Sequence, residues 1–158
     1  MEKTNSYTYF AIKSNGQFDN GFIAYEKGIF APQELTHTLG IQPFSYWAYG
    51  DKRIDGSVYR FSAWSAEKSE AGRLDVEAQC KETIRNLKNK IPQLLQIKER
   101  YDVNFILTIV PSIYGDEQPW LSFDEEIIKF CYLTGTTIDV DMYIYPLENG
   151  NEEVMERS

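Results

Sequence analysis

Apolar and polar side chains alternate with a two-residue period in three stretches of the chain. Residues 136–145 hold the longest unbroken alternation, with Ile138, Val140, Met142 and Ile144 on one face and Asp139, Asp141, Tyr143 and Tyr145 on the other. The apolar set reads as core. Residues 6–14 alternate aromatic and polar positions in their first half and run into Asn15-Gly16, a strand entering a turn. Residues 57–65 alternate again and predict a second long strand, while 103–110, the most hydrophobic run, predicts a central one. Asn20-Gly21 ahead of the apolar residues 22–25 suggests a hairpin return.

Helical spacing links Val76, Cys80, Ile84, Leu87 and Ile91 behind Asp75. This predicts one main helix, broken or kinked by Pro92, with a short continuation carrying Leu94, Leu95 and Ile97 to Tyr101. Pro32 fits the first turn of a shorter helix that Gly40 closes. Ser122-Phe123-Asp124-Glu125 reads as a capping box for a third helix, stopped by Gly135. Strand, helix, strand, helix, strand, helix, strand is the resulting order. The expected fold is two-layer α+β, a mostly antiparallel sheet of four or five strands with helices packed on one face. Residues 1–146 form a single domain, and 147–158 an acidic tail expected to be disordered.

The 158 residues are 42% hydrophobic and 15% aromatic, enough for one ordinary core. The formal charge is −8, of which Glu148, Glu152, Glu153 and Glu156 against Arg157 place −3 in the tail. So acidic a chain argues against nucleic acid and against an anionic membrane surface, since both are held by Lys and Arg, and allows a basic protein partner. Met1 leads into Glu2, Lys3, Thr4 and Asn5 without an apolar run, so no signal peptide is expected, and no stretch approaches a membrane span. Cytoplasmic localisation follows as the expectation. Cys80 and Cys131 show no paired-cysteine spacing and are expected to be buried, reduced thiols.

Candidate chemistry is sparse. His37 is the only histidine, and Glu34 beside it brings no third ligand, so no catalytic residue, metal site or cofactor is assigned. Phosphate-loop, dinucleotide and nucleophile-elbow motifs are absent. The best carboxylate pair is Asp139 and Asp141, i and i+2 on one strand beside Tyr143 and Tyr145, which suits a cationic or planar group. The bland alternative is a solvated strand face whose charges block aggregation. Trp47 and Arg53, in a Gly- and Pro-bearing loop spanning residues 41–56, form a second candidate: the indole either plugs the core or lines a cleft. Trp64 joins the acidic face if the strand register allows it. Trp120 is placed to pin the chain's entry into the third helix.

Several segments together resemble a bacterial family known only as a domain of unknown function, number four-two-seven-nine. They are Phe30-Ala-Pro-Gln-Glu-Leu-Thr with Leu39-Gly40-Ile41-Gln42-Pro43, Trp47 with Gly50-Asp51, Ser62-Ala63-Trp64-Ser65, and residues 121–145 ending in Asp141-Met142-Tyr143-Ile144-Tyr145. Residues 17–28 look longer than the family's usual first turn. The resemblance implies a bacterial, cytosolic, single-domain protein and brings no catalytic residues. Small acidic proteins of this kind sometimes act as immunity partners of secreted toxins, an analogy only. The expected function is a non-catalytic, immunity-like protein-binding module. The alternative is a small-ligand-binding protein or enzyme with a pocket between the Trp47 loop and the sheet, and a third reading is a homodimer through the open face.

Overall fold

The computed structural model describes residues 2–15, 18–19, 22–23 and 28–146; the expected acidic tail, 147–158, lies outside them. In chain order the strands are β1 (Asn5–Ser14), β2 (Phe18–Asp19), β3 (Phe22–Ile23), β4 (Ser45–Trp47), β5 (Ala63–Ser65), β6 (Val103–Tyr114), β7 (Thr136–Val140) and β8 (Tyr143–Tyr145). The helices are α1 (Pro32–Leu39), α2 (Val76–Arg85), α3 (Ile91–Arg100) and α4 (Glu125–Thr134). β2 and β3 pair antiparallel as a separate small hairpin, while the Asn20-Gly21 turn itself lies outside the described residues.

A mixed six-stranded sheet carries the fold in the order β4, β5, β1, β6, β7, with β8 continuing beside β6. β1 and β6 form a ten-residue antiparallel ladder, Asn5 opposite Ser112 through Ser14 opposite Val103. β5 and β4 extend the antiparallel side, whereas β7 and β8 run parallel to β6, with α4 as the crossover that a parallel neighbour requires. The fold is therefore α+β, mostly antiparallel, with the helices on one face.

Alternation sorts the sheet's side chains. Phe10 and Ile12 of β1, Trp64 of β5 and Phe105, Leu107 and Ile109 of β6 point to the helical side and are buried with Leu35, Leu39, Ile84, Leu94, Ile127 and Phe130. Phe10 centres this layer, with ring centroids 5.5 Å from Phe105 and 6.1 Å from Phe130. Polar groups under the helices are paired. Gln79, fully buried on α2, donates to the carbonyls of Ser6 and Gly72 (3.0 and 2.7 Å) and accepts from the Ser6 hydroxyl at 3.1 Å. The hydroxyls of Thr8 and Thr83 meet at 2.7 Å. A buried amide left short of such partners would cost about 1–3 kcal/mol, so this network selects one docking of α2 on β1.

Five local expectations are corrected. The long helix from Asp75 ends at Arg85, and Pro92 lies in the first turn of a new helix, α3, where its missing N–H costs nothing. The strand expected over 57–65 shrinks to Ala63–Ser65. Residues 48–61 instead fold back on themselves, the Arg53 amide donating to Ser57 and the Gly50 amide to Tyr59. The cap of α4 is Asp124, whose carboxylate accepts the Ile127 amide at 3.1 Å and pairs with Lys81 at 2.6 Å. Ser122 reaches Glu77 instead. Trp120 is mostly exposed; its amide, rather than its ring, holds the chain, donating to Leu74 at 2.8 Å.

The fifth correction concerns the alternating stretch 136–145. It is two strands, although its register does not slip: Phe105 faces Thr136 and Ser112 faces Tyr143 at the same offset. The Asp141 amide donates to Ile109 at 2.8 Å, so β6 turns its odd-numbered backbone groups toward this neighbour. Pro111 is next in that series, and its missing N–H interrupts the ladder. The apolar face is not ordinary core either. Ile138, Val140, Met142 and Ile144 are 37–42% exposed, because β7 and β8 form the sheet's edge.

Candidate functional site

The face of the sheet away from the helices is built from the odd positions of β1 and their neighbours. Tyr9, Thr108 and Asp139 form one row across three strands. Tyr7 and Val110 form the next, and the unbroken register puts Asp141 beside them. Asn5, Ser112 and Tyr143 follow, then Tyr114 and Tyr145, whose rings stack at 4.6 Å and 8°. The rings of Tyr7 and Tyr9 stack at 6.2 Å, and Phe44 meets Tyr9 edge-on at 5.8 Å. The Lys68 ammonium stands 4.3 Å from the centroid of Tyr7 and 5.4 Å from that of Phe44, a cation held by ring faces.

The electrostatics of this surface are set by its two aspartates. Tyr143 donates to Asp141 at 3.1 Å, and that hydrogen bond, then the negative charge, raises the Tyr143 phenol above its ordinary value. Burial, then Asp141, raises Tyr7. Burial also raises Tyr9, against a hydrogen bond with Thr108 and with smaller contributions from Tyr7, Asp141 and Asp139. The carboxylate field thus reaches two strands inward. Among the described residues neither aspartate forms an ion pair. Four other carboxylates are matched: Glu117 with Arg73 at 2.6 Å, Asp124 with Lys81, Glu126 with Lys88, and Glu34 with Arg100 at 3.7 Å.

At the opposite edge of the same face, Trp47 of β4 stacks on Tyr59 at 4.4 Å and 15° and meets Phe61 edge-on at 5.6 Å. The Arg53 guanidinium lies 5.1 Å over the Tyr59 ring. The loop that presents them is tied by the Asp51 carboxylate accepting the Ala48 amide at 2.8 Å and by Asp55 accepting the Ser57 amide at 2.9 Å. Trp47 therefore neither plugs the helix-side core nor lines an open cleft: the protein's own rings fill the slot, and its indole N–H is buried without an acceptor among the described residues.

Of the residues singled out by sequence, Asp139, Asp141, Tyr143 and Tyr145 come together as expected, and Trp47 with Arg53 occupies the far end of the same face. Trp64 does not join them. It is fully buried on the helical side, its indole N–H donating to Thr36 at 3.0 Å. Sequence reasoning missed Tyr7, Tyr9, Phe44, Lys68 and Tyr114. The Tyr7–Tyr9 alternation signalled a shared face, but nothing local said that β6 would bring it to Asp139.

A cavity of about 220 Å³ lies elsewhere, beside the C-terminal half of α2, lined by Glu67, Lys68, Glu82, Arg85 and Asn86 among others. It is smaller than a usual ligand pocket, and the Glu82 carboxylate is already occupied by the amides of Glu70 and Ala71. His37 is exposed on α1, in the other layer. No group of three metal-ligating side chains occurs among the described residues, and no helix among them is long and apolar enough to cross a membrane. Cys80 and Cys131 are free and buried, and burial pushes the Cys80 thiol up to about 12.

The chain is thus a two-layer α+β protein with one helix-covered face and one open face of tyrosines and two aspartates that form no ion pair among the described residues. It belongs to the family described as domain of unknown function DUF4279, whose model matches residues 4–145. Comparison with curated proteins and with solved structures returns no match.

Proposed function

We propose that the open face is a non-catalytic recognition surface for a basic protein segment. The observation that carries this reading is the pair Asp139 and Asp141. They stand beside Tyr7, Tyr9 and Tyr143 without a cationic partner among the described residues, whereas Glu34, Glu117, Asp124 and Glu126 are ion-paired. A lysine or arginine laid over tyrosine rings next to a carboxylate gains both cation–π and ionic attraction, and Lys68 over Tyr7 and Phe44 is an internal example of the first. A bacterial, cytoplasmic and immunity-like setting belongs to the same proposal; two free, buried cysteines fit a reducing compartment.

A peptide array graded from Lys/Arg-rich to Glu-rich, followed by titration calorimetry at two salt concentrations, tests it. Basic peptides should bind, more weakly at high salt, and Asp139→Lys with Asp141→Lys should abolish the binding. Equal binding of acidic and basic peptides, or a charge-reversed variant that binds as before, overturns the proposal.

A further inference from the structure

The edge of the sheet carries apolar surface that no other described element covers. On β7 and β8, Ile138, Val140, Met142 and Ile144 point to the helical side yet remain 37–42% exposed. α4 packs on β7 and buries Ile127, Phe130 and Cys131, but its outer flank bears Ile128 and Tyr132, 55% and 85% exposed. These six side chains expose on the order of 500 Å² of mostly apolar surface, at the upper end of what a monomer's largest patch usually shows. Each partner of a standard interface buries ~800 Å², and Trp120 and Leu121, on the approach to α4, are exposed as well.

We propose that this protein forms a twofold homodimer through the β7–β8 edge and the outer flank of α4. A second copy is the occupant that matches both halves of the patch at once: strand edge meets strand edge, and α4 meets α4. An extended peptide added to the edge would leave Tyr132 and Ile128 uncovered.

The backbone is arranged for it. The Asp141 amide turns inward to Ile109, so by alternation Thr136, Ile138 and Val140 turn their N–H and C=O groups outward. An antiparallel pairing with Ile138 opposite itself satisfies these groups. It also places Asp139 opposite the partner's Thr137 rather than opposite a carboxylate, avoiding like-charge contact. The two open faces then lie on the same side of one continuous twelve-stranded sheet, doubled from the six strands of each chain. The pairing edge adjoins Asp139, whereas Tyr7 and Tyr9 of the recognition surface lie two strands away on β1.

Light scattering and sedimentation of the full chain test it. The wild type should run at about twice 18.4 kDa, and Tyr132→Glu combined with Val140→Lys should run as a folded monomer. Tyr7→Ala with Tyr9→Ala, on β1 two strands from the edge, should weaken the proposed peptide binding yet remain dimeric and so separates the two proposals. If Val140→Lys unfolds the chain by circular dichroism, Ile128→Ser with Tyr132→Ser on the exposed helix surface gives the same readout. A wild type at 18.4 kDa throughout, or a dimer that survives these substitutions, overturns the dimer.

Discussion

Ser6, Thr8, Gln79 and Thr83 lie between the sheet and the helices with hydrogen-bond partners in place, whereas Asp139 and Asp141 on the other side of the same sheet form no ion pair among the described residues. The difference follows from solvent. Enclosed polar groups must be satisfied internally, because an orphan loses its water without replacement. Groups on the open face keep their hydration until something displaces it, so charge and ring faces there remain available to a partner. The covered face fixes how the layers dock. In the proposed function, the open face specifies what is bound.

Substitutions at the two faces should separate stability from recognition. Trp64→Ala on the covered face empties the largest buried side chain and frees Thr36, and should lower unfolding free energy by about 3–5 kcal/mol in urea titration. A loss under about 1 kcal/mol would mean that the covered layer is far looser than its burial indicates. Gln79→Leu keeps the volume but removes the donor to the buried Ser6 carbonyl, while the Ser6 hydroxyl and the Gly72 carbonyl keep Arg73 and Asp75 as partners, for a loss of about 1–3 kcal/mol by the same measurement. On the open face, Asp139→Asn with Asp141→Asn should change stability by no more than about 0.5 kcal/mol. Affinity for a basic peptide should fall about tenfold, or roughly 1.4 kcal/mol.

Acid sharpens the contrast less strongly. Lys81 holds the Asp124 carboxyl below its ordinary 3.8, and Arg73 holds Glu117 below 4.5. Folding therefore releases protons from both groups. The stability they contribute is complete above those ordinary values and is lost as the pH falls through the lower folded ones. Thermal melts between pH 6 and 3 should show this loss, reduced in Lys81→Met, and both effects should be small because the pairs are exposed. The smallest signal is expected at the thiols. With Cys80 pushed up to about 12 by burial and Cys131 also raised, the native protein should react with a thiol reagent only as fast as it opens.

Much of the plan was legible in local pattern. Asp75 and Gly135 punctuate helices where expected, the Asp75 carboxylate accepting the Ala78 amide at 3.0 Å and Gly135 taking a φ of 66°. Asp139, Asp141, Tyr143 and Tyr145 share one face because alternation survives even where Pro111 interrupts the ladder. The capping residue of α4 was misread, since Ser122 and Asp124 are both competent caps and Lys81 pairs with the second. The face of Trp64 depends on strand register, and the antiparallel pairing of Ile12 with Trp64 turns it toward the core.

By itself the sequence determined which side chains travel together, since a period of two or of about 3.6 residues is a property of backbone geometry and needs no neighbour. The tertiary structure alone decided what each face meets. Ile138 and Val140 read as core by pattern and became a half-exposed edge because strand order places them last in the sheet. Tyr7 and Tyr9 joined Asp139 and Asp141 across β6 for the same reason. Neighbours more than a hundred residues apart are chosen by the packing of the whole chain, which a local period does not encode.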